Sequence, residues 1–124
     1  MKKPLHDSHE SDEFSIHLQS KNDLALITLK GEFNLYSSHH LKEMIQKIID
    51  SEYTNILIDA SLTSYIDSSA LGVILGTHAK LKKQDGFISF LNPSRQVMYV
   101  LELTKLAAIF KIYSSVEELD SHNK

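Results

Sequence analysis

From Ser61 to Ser69 the chain reads Ser-Leu-Thr-Ser-Tyr-Ile-Asp-Ser-Ser, which places a carboxylate, Asp67, and two adjacent hydroxyls, Ser68 and Ser69, at the head of a helical pattern. A hydroxyl there has two uses. It can cap the helix, accepting a hydrogen bond from an early N–H for about 1 kcal/mol, or it can carry a phosphate, because a dianion at a helix N-terminus meets free N–H groups and a favourable dipole. Spacing alone favours Ser68 as the N-cap. A nucleophilic triad is the third chemistry to weigh, since Asp67, Ser68 and His78 lie close in sequence. It fails on geometry: there is no Gly-x-Ser-x-Gly elbow, and ten helical residues put His78 about 15 Å from Ser68. Past the cap, Ser68, Gly72, Gly76 and Lys80 recur every four residues and line one helical stripe almost free of side chains. Such a stripe either packs closely on a neighbouring element or floors a shallow groove that receives a partner.

The elements that must position this segment are legible in the hydrophobic pattern. Phe14, Ile16 and Leu18 alternate with polar residues as in a strand with one buried face, Lys21 to Asp23 supply a turn, and Leu24 to Leu29 reads as the second arm of a hairpin ended by Gly31. Leu41, Met44, Ile45, Ile48 and Ile49 recur at helical spacing, with Ser37 or Ser38 as cap. The continuous apolar run Ile56 to Ile58 predicts a central strand covered on both faces, and Ser61 to Ser69 a loop beyond it. Leu71, Ile74 and Leu75 place a helix to Leu81 despite the cost of two glycines. Asp85-Gly86 is a turn and Phe87 to Leu91 a strand. Asn92-Pro93 caps a helix to about Leu103, Ile109 to Tyr113 is a last strand, and Ser114 with Glu117 or Ser115 with Glu118 opens a terminal helix. The expectation is an α/β fold in one domain, a small mixed β-sheet with α-helices packed against it, in the order β-β-α-β-α-β-α-β-α. Strands alternating with helical crossovers make the later part of the sheet parallel and send ligand sites to the carboxyl ends of its strands, where Ser68 lies.

The chain has 124 residues, 42% hydrophobic, enough for one core without staples, and no Cys, which removes disulfides, thiolate metal sites and Cys nucleophiles. A cytoplasmic protein is the expectation. Thirteen basic against sixteen acidic side chains leave a net charge of -3, which argues against a nucleic-acid partner, and no apolar run approaches the ~18 residues of a membrane span. Residues 1–13, polar and acidic apart from Leu5, read as a flexible N-terminal tail, residues 14–120 as the domain, and residues 121–124 as a frayed C-terminus. His6 and His9 have no third ligand nearby, so no metal is expected, and without a phosphate-binding glycine loop no nucleotide cofactor.

The stretch Tyr65-Ile66-Asp67-Ser68-Ser69-Ala70-Leu71-Gly72-Val73-Ile74-Leu75-Gly76 resembles the signature of the bacterial anti-sigma factor antagonists, the STAS domain family: an aromatic, an apolar residue, Asp-Ser-Ser/Thr-Gly-Leu-Gly, two or three apolar residues and Gly. Gly31-Glu32-Phe33-Asn34 is similar to the family's Gly-Glu-apolar-Asp, and Asn92-Pro93-Ser94 to Leu106 to its third helix, so the resemblance covers about residues 14–120. It implies a binding module without catalytic activity. Its partner would be an anti-sigma factor with serine kinase activity, which phosphorylates the first hydroxyl after the Asp, here Ser68, and a serine phosphatase would reverse the change. By the same resemblance Asp67 positions the acceptor, Ser69 is its neighbour, and Gly72 and Gly76 belong to the docking helix. Ala70 stands where the family has Gly and is expected to narrow what docks. Asn34 stands where it has Asp and removes a charge near the phosphorylation loop. The alternative is a STAS scaffold that binds a partner, in a regulatory or transport-associated complex, without being phosphorylated.

Overall fold

The computed structural model describes residues 2–118. A six-stranded sheet runs in sequence order: β1 (His6–Glu10), β2 (Phe14–Lys21), β3 (Leu24–Phe33), β4 (Asn55–Ile66), β5 (Phe87–Leu91) and β6 (Lys111–Tyr113). The first three strands are antiparallel and β3 to β6 are parallel. The parallel crossovers are α1 (Leu35–Asp50), α2 (Ser68–Lys82) and α3 (Arg95–Leu103), the last followed by a 3-10 turn at Leu106–Ala108. This is the expected mixed sheet with helices.

Alternation along the strands splits their side chains between two faces. Ile16, Leu18, Ile27, Leu29, Ile56, Ile58, Ile88 and Phe90 form the main core with Leu41, Ile48, Ile74, Leu81, Val97 and Leu101 of the helices. Each such side chain contributes about 1.5–3 kcal/mol by leaving water. Leu57, Leu91 and Tyr113 form a second cluster, against which Leu24, Leu26 and Val116 pack. The Ile56 to Ile58 run is therefore covered on both faces, as its sequence requires.

Several boundaries differ from expectation. Residues 6–10, placed by composition in a flexible tail, form β1, whose pairing runs from His6 opposite Gln19 to Glu10 opposite Ser15. It is held by contacts that composition does not reveal: His9 stacks on His40 of α1 at 3.9 Å, Asp7 pairs with Lys47, and the Tyr53 hydroxyl donates to the Lys3 carbonyl at 2.9 Å. The Lys47 ammonium also holds the Asp7 carboxyl below the ordinary carboxylate pKa. Gly31 does not end β3, which continues to Phe33. Its φ of +92° and the Glu13 carbonyl oxygen, which a Cβ would meet at 2.2 Å, admit only glycine. The α3 cap is Ser94, whose hydroxyl accepts from the Val97 N–H, whereas Asn92 sits at φ 44° and donates its N–H to the Tyr113 carbonyl. The terminal helix opens at Val116 on the Ser115 alternative, with the Glu118 N–H donated to Ser115 Oγ. Residues 121–124 lie outside the described residues.

Candidate functional site

The segment expected as a loop is mostly strand. β4 continues to Ile66, and to stay paired with β3 it carries two extra residues: the register passes from Thr28 opposite Asp59 to Lys30 opposite Leu62, then from Gly31 opposite Thr63 to Glu32 opposite Tyr65. Side chains pin these bulges. Asp59 Oδ1 accepts from the N–H and hydroxyl of Ser61, Thr63 Oγ1 donates to the Leu29 carbonyl at 2.8 Å, and Ser94 Oγ donates to the Thr63 carbonyl at 2.6 Å. The consequence is a rigid strand end that turns Leu62 and Tyr65 outward and delivers Asp67 to a fixed place.

Phe33 and Ile66 are opposed at the carboxyl ends of β3 and β4, and the Asp67 N–H donates to the Phe33 carbonyl at 3.0 Å. Two helix N-termini therefore stand side by side, α1 capped by Asn34 and α2 by Asp67. Asn34 Oδ1 accepts from the N–H groups of Tyr36 and Ser37, and Ser37 Oγ accepts in return from the Asn34 N–H at 2.8 Å, closing a capping box. The expected caps Ser37 and Ser38 are instead inside the helix.

At α2, Asp67 Oδ1 accepts from Ser69 N–H at 2.9 Å and Ala70 N–H at 3.2 Å. Asp67, not Ser68, is thus the N-cap. A carboxylate outcompetes a hydroxyl here because a full negative charge faces the helix dipole. Ser68 becomes the first helical residue, exposed, and its hydroxyl has no hydrogen-bond partner among the described residues. The capping job that competed for it is already done.

Ala70 is corrected in the other direction. It is fully buried in the core, so its methyl presents nothing to a docking partner. Gly72 and Gly76 are exposed, and a Cβ on either would meet nothing within 4 Å. The stripe therefore does not mediate close packing; it floors a groove of about 380 Å³ between α1 and α2, with Lys42 and Gln46 on one wall and Val73 and Lys80 on the other. His78 is buried in α2 with its Nδ1 accepting from the Ile88 N–H at 3.1 Å, a structural use remote from Ser68.

An apolar collar around Ser68 was not read from sequence. Leu35, Tyr36, Leu62 and Tyr65 are each half or more exposed, and Leu75 shows on the Ser68 face of α2. The first four belong to the carboxyl end of β4 and the first turn of α1. Their signal was a break in pattern: apolar side chains at positions that alternation turns to solvent. Among the described residues there is no cluster of three or more His, Cys, Asp or Glu able to hold a metal, and no helix long and apolar enough to cross a membrane.

Residues 15–119 match the STAS domain. This chain belongs to the STAS domain family. It is 30% identical over 99 residues to the anti-sigma-B factor antagonist of Bacillus subtilis, covering 80% of this chain and 89% of that protein. The crystal structure of the Thermotoga maritima protein TM1081, 27% identical, superposes with a TM-score of 0.78 over 85% of this chain and 91% of that one. The anti-sigma factor antagonist SpoIIAA shares the fold at 24% identity, with TM-scores of 0.75 for its unphosphorylated and 0.68 for its phosphorylated form. The first covers 87% of this chain and 96% of that one, the second 86% and 97%. These relatives are regulators by name. The matched residues begin after β1.

Proposed function

We propose that this STAS protein is an anti-sigma factor antagonist of the cytoplasm that binds an anti-sigma factor with serine kinase activity and is switched off by phosphorylation at Ser68. The observation that carries the reading is the division of labour at α2: Asp67 caps the helix, which leaves the Ser68 hydroxyl exposed and uncommitted between an apolar collar and an open groove. Asn34, Asp67 and Ser69 surround the acceptor, and Gly72 and Gly76 floor the docking surface. Support also comes from SpoIIAA, which shares the fold and is known in both phosphorylation states.

Folding survives the modification. The Ser68 N–H and the helix dipole accept a phosphate, although less fully than at a bare helix end, because Asp67 already holds the next two N–H groups and adds a like charge beside the phosphate. Binding does not survive it. A dianion in the middle of an apolar docking face must lose its hydration when the partner arrives, which lowers affinity by roughly two to three orders of magnitude. A serine phosphatase would restore the active form.

The test is incubation of the wild type, Ser68→Ala and Ser69→Ala with ATP and an anti-sigma factor kinase, with the phosphate located by mass spectrometry. Wild type and Ser69→Ala take one phosphate at Ser68, while Ser68→Ala takes none and binds constitutively. Phosphate on Ser69, or none from a kinase shown to be active, overturns the assignment. Gly76→Leu separates docking from folding: it folds normally and loses partner binding.

A further inference from the structure

The third crossover helix carries a face that no described part of the chain covers. Val97 and Leu101 of α3 are buried in the main core, while Arg95, Gln96, Tyr99, Glu102 and Leu103 are exposed. At 100° per residue, Arg95, Tyr99, Glu102 and Leu103 fall within an arc of about 100°, opposite to the buried pair, and so form one stripe. Leu103 and Tyr99, 67% and 65% exposed, are the most exposed large apolar side chains among the described residues, ahead of every member of the collar around Ser68.

The charges on this stripe are the wrong way round for the helix that carries them. Arg95 is the first helical residue, where the dipole is positive, and Glu102 lies in the last turn, where it is negative; α3 has no acid in its first turn and no base in its last. Neither side chain has an ion-pair partner among the described residues. The first cation after Glu102 is Lys105, beyond the cap residue Thr104 and in left-handed backbone at φ 68°. A second copy of the same helix, laid antiparallel, removes both conflicts at once. Arg95 and Glu102 are two turns apart, about 10.5 Å along the axis, so they lie on the same side of α3 with Tyr99 beside the midpoint. A two-fold axis through that midpoint sets Arg95 of each copy against Glu102 and the negative helix end of the other. It also brings the two Tyr99 rings together, with each Leu103 beside the aliphatic stem of the other copy's Arg95.

We propose that this face of α3 is where two copies of the chain meet, in an antiparallel dimer with two-fold symmetry. The stripe is self-complementary in the way such an interface demands, since each half supplies one cation, one anion and an aromatic ring at the centre. One short helix against another falls below the about 1,200 Å² of standard interfaces, so the dimer is weak and exchanges with monomer. The stripe contains no residue assigned to the Ser68 site and does not rest on that reading.

Sedimentation equilibrium of the full chain, from micromolar to millimolar concentration, tests this, with amide NMR shifts followed over the same range. The expected result is a reversible monomer–dimer equilibrium, weakened by added salt, whose concentration-dependent shifts centre on Tyr99 and Leu103. Arg95→Glu and Glu102→Arg each place like charges across the axis and raise the dissociation constant by about tenfold or more. Neither lowers the melting temperature of the monomer, because each brings its own helix end into line with the dipole. Mixing the two variants restores association, since two acids of one chain then face two bases of the other. Tyr99→Ser weakens the dimer with the charges intact. A chain that stays monomeric at millimolar concentration overturns the proposal, as does association that survives both reversals, fails to return on mixing, or shifts residues away from α3.

Discussion

The N-termini of α1 and α2 are built alike and used differently. Each follows the carboxyl end of a parallel strand, each has an Asx cap reaching the second and third helical N–H groups, and each has a buried small residue third in the helix, Ser37 in one and Ala70 in the other. In α1 that third residue is a hydroxyl tied to the Asn34 N–H and to the Glu32 carbonyl at 2.8 Å, so the end is closed. In α2 the corresponding N–H of Asp67 is already used by the sheet, the third residue has no polar group, and the hydroxyl has moved to the first, exposed position as Ser68. The difference teaches that a helix end becomes available for chemistry when its own hydrogen bonds are satisfied from elsewhere.

Removing what buttresses α1 has the largest effect. Deletion of residues 1–10 removes β1 with the His9–His40 stack and the Asp7–Lys47 pair, and is expected to lower the melting temperature by more than any single substitution below. An unchanged melting curve would mean that α1 stands without this support. Next comes Ser37→Ala, which orphans a donor and an acceptor at a buried position and is expected to cost about 2 kcal/mol, several degrees in a thermal melt. The matching change in α2, Ala70→Gly, restores the residue usual in the family and is expected to cost about 1 kcal/mol through helix propensity and a small void, with partner affinity unchanged. A change in affinity would return Ala70 to the docking face. Smallest is Asn34→Asp, which makes the two caps alike. It is expected to stabilise α1 by a few tenths of a kcal/mol through the dipole, and to raise the rate of Ser68 phosphorylation if the missing carboxylate is a kinase contact. An equal or lower rate removes that role.

Much of the framework that carries these two helix ends is legible in the sequence. The periods of two and 3.6 placed β2, α1 and α2, apolar content between turn signals placed β3 and β5, and the uninterrupted Ile56 to Ile58 run placed β4 in the centre, because burial of apolar side chains is what forms those elements. What escaped has other causes. β1 is His-Asp-Ser-His-Glu and is held by backbone pairing, ring stacking and an ion pair, none of which leaves an apolar period. The extension of β4 through Ser61 to Ile66 is hidden because bulges break alternation at the places where Asp59, Thr63 and Ser94 pin them. Caps moved by one to four residues, from Ser68 to Asp67, from Ser37 or Ser38 to Asn34 and from Asn92 to Ser94, since neighbouring polar residues compete and the strand end decides which of them faces the helix. The glycine stripe divided close packing from an open groove only through the distance between α1 and α2, which no single segment encodes.

The two borders of the sheet set how this protein behaves when crowded. At one border β1 offers a short ribbon carrying two imidazoles and two carboxylates, and at the other β6 is three residues long and bears Lys111. Neither presents the long, flat, apolar edge on which foreign strands stack, so the chain resists edge-to-edge assembly into fibres even though its interior strands are rich in isoleucine and leucine. Stripped of β1, the sheet would end instead at β2, whose eight residues include Phe14, Ile16 and Leu18, and the polar N-terminal ribbon would have lost its second role as a guard against aggregation.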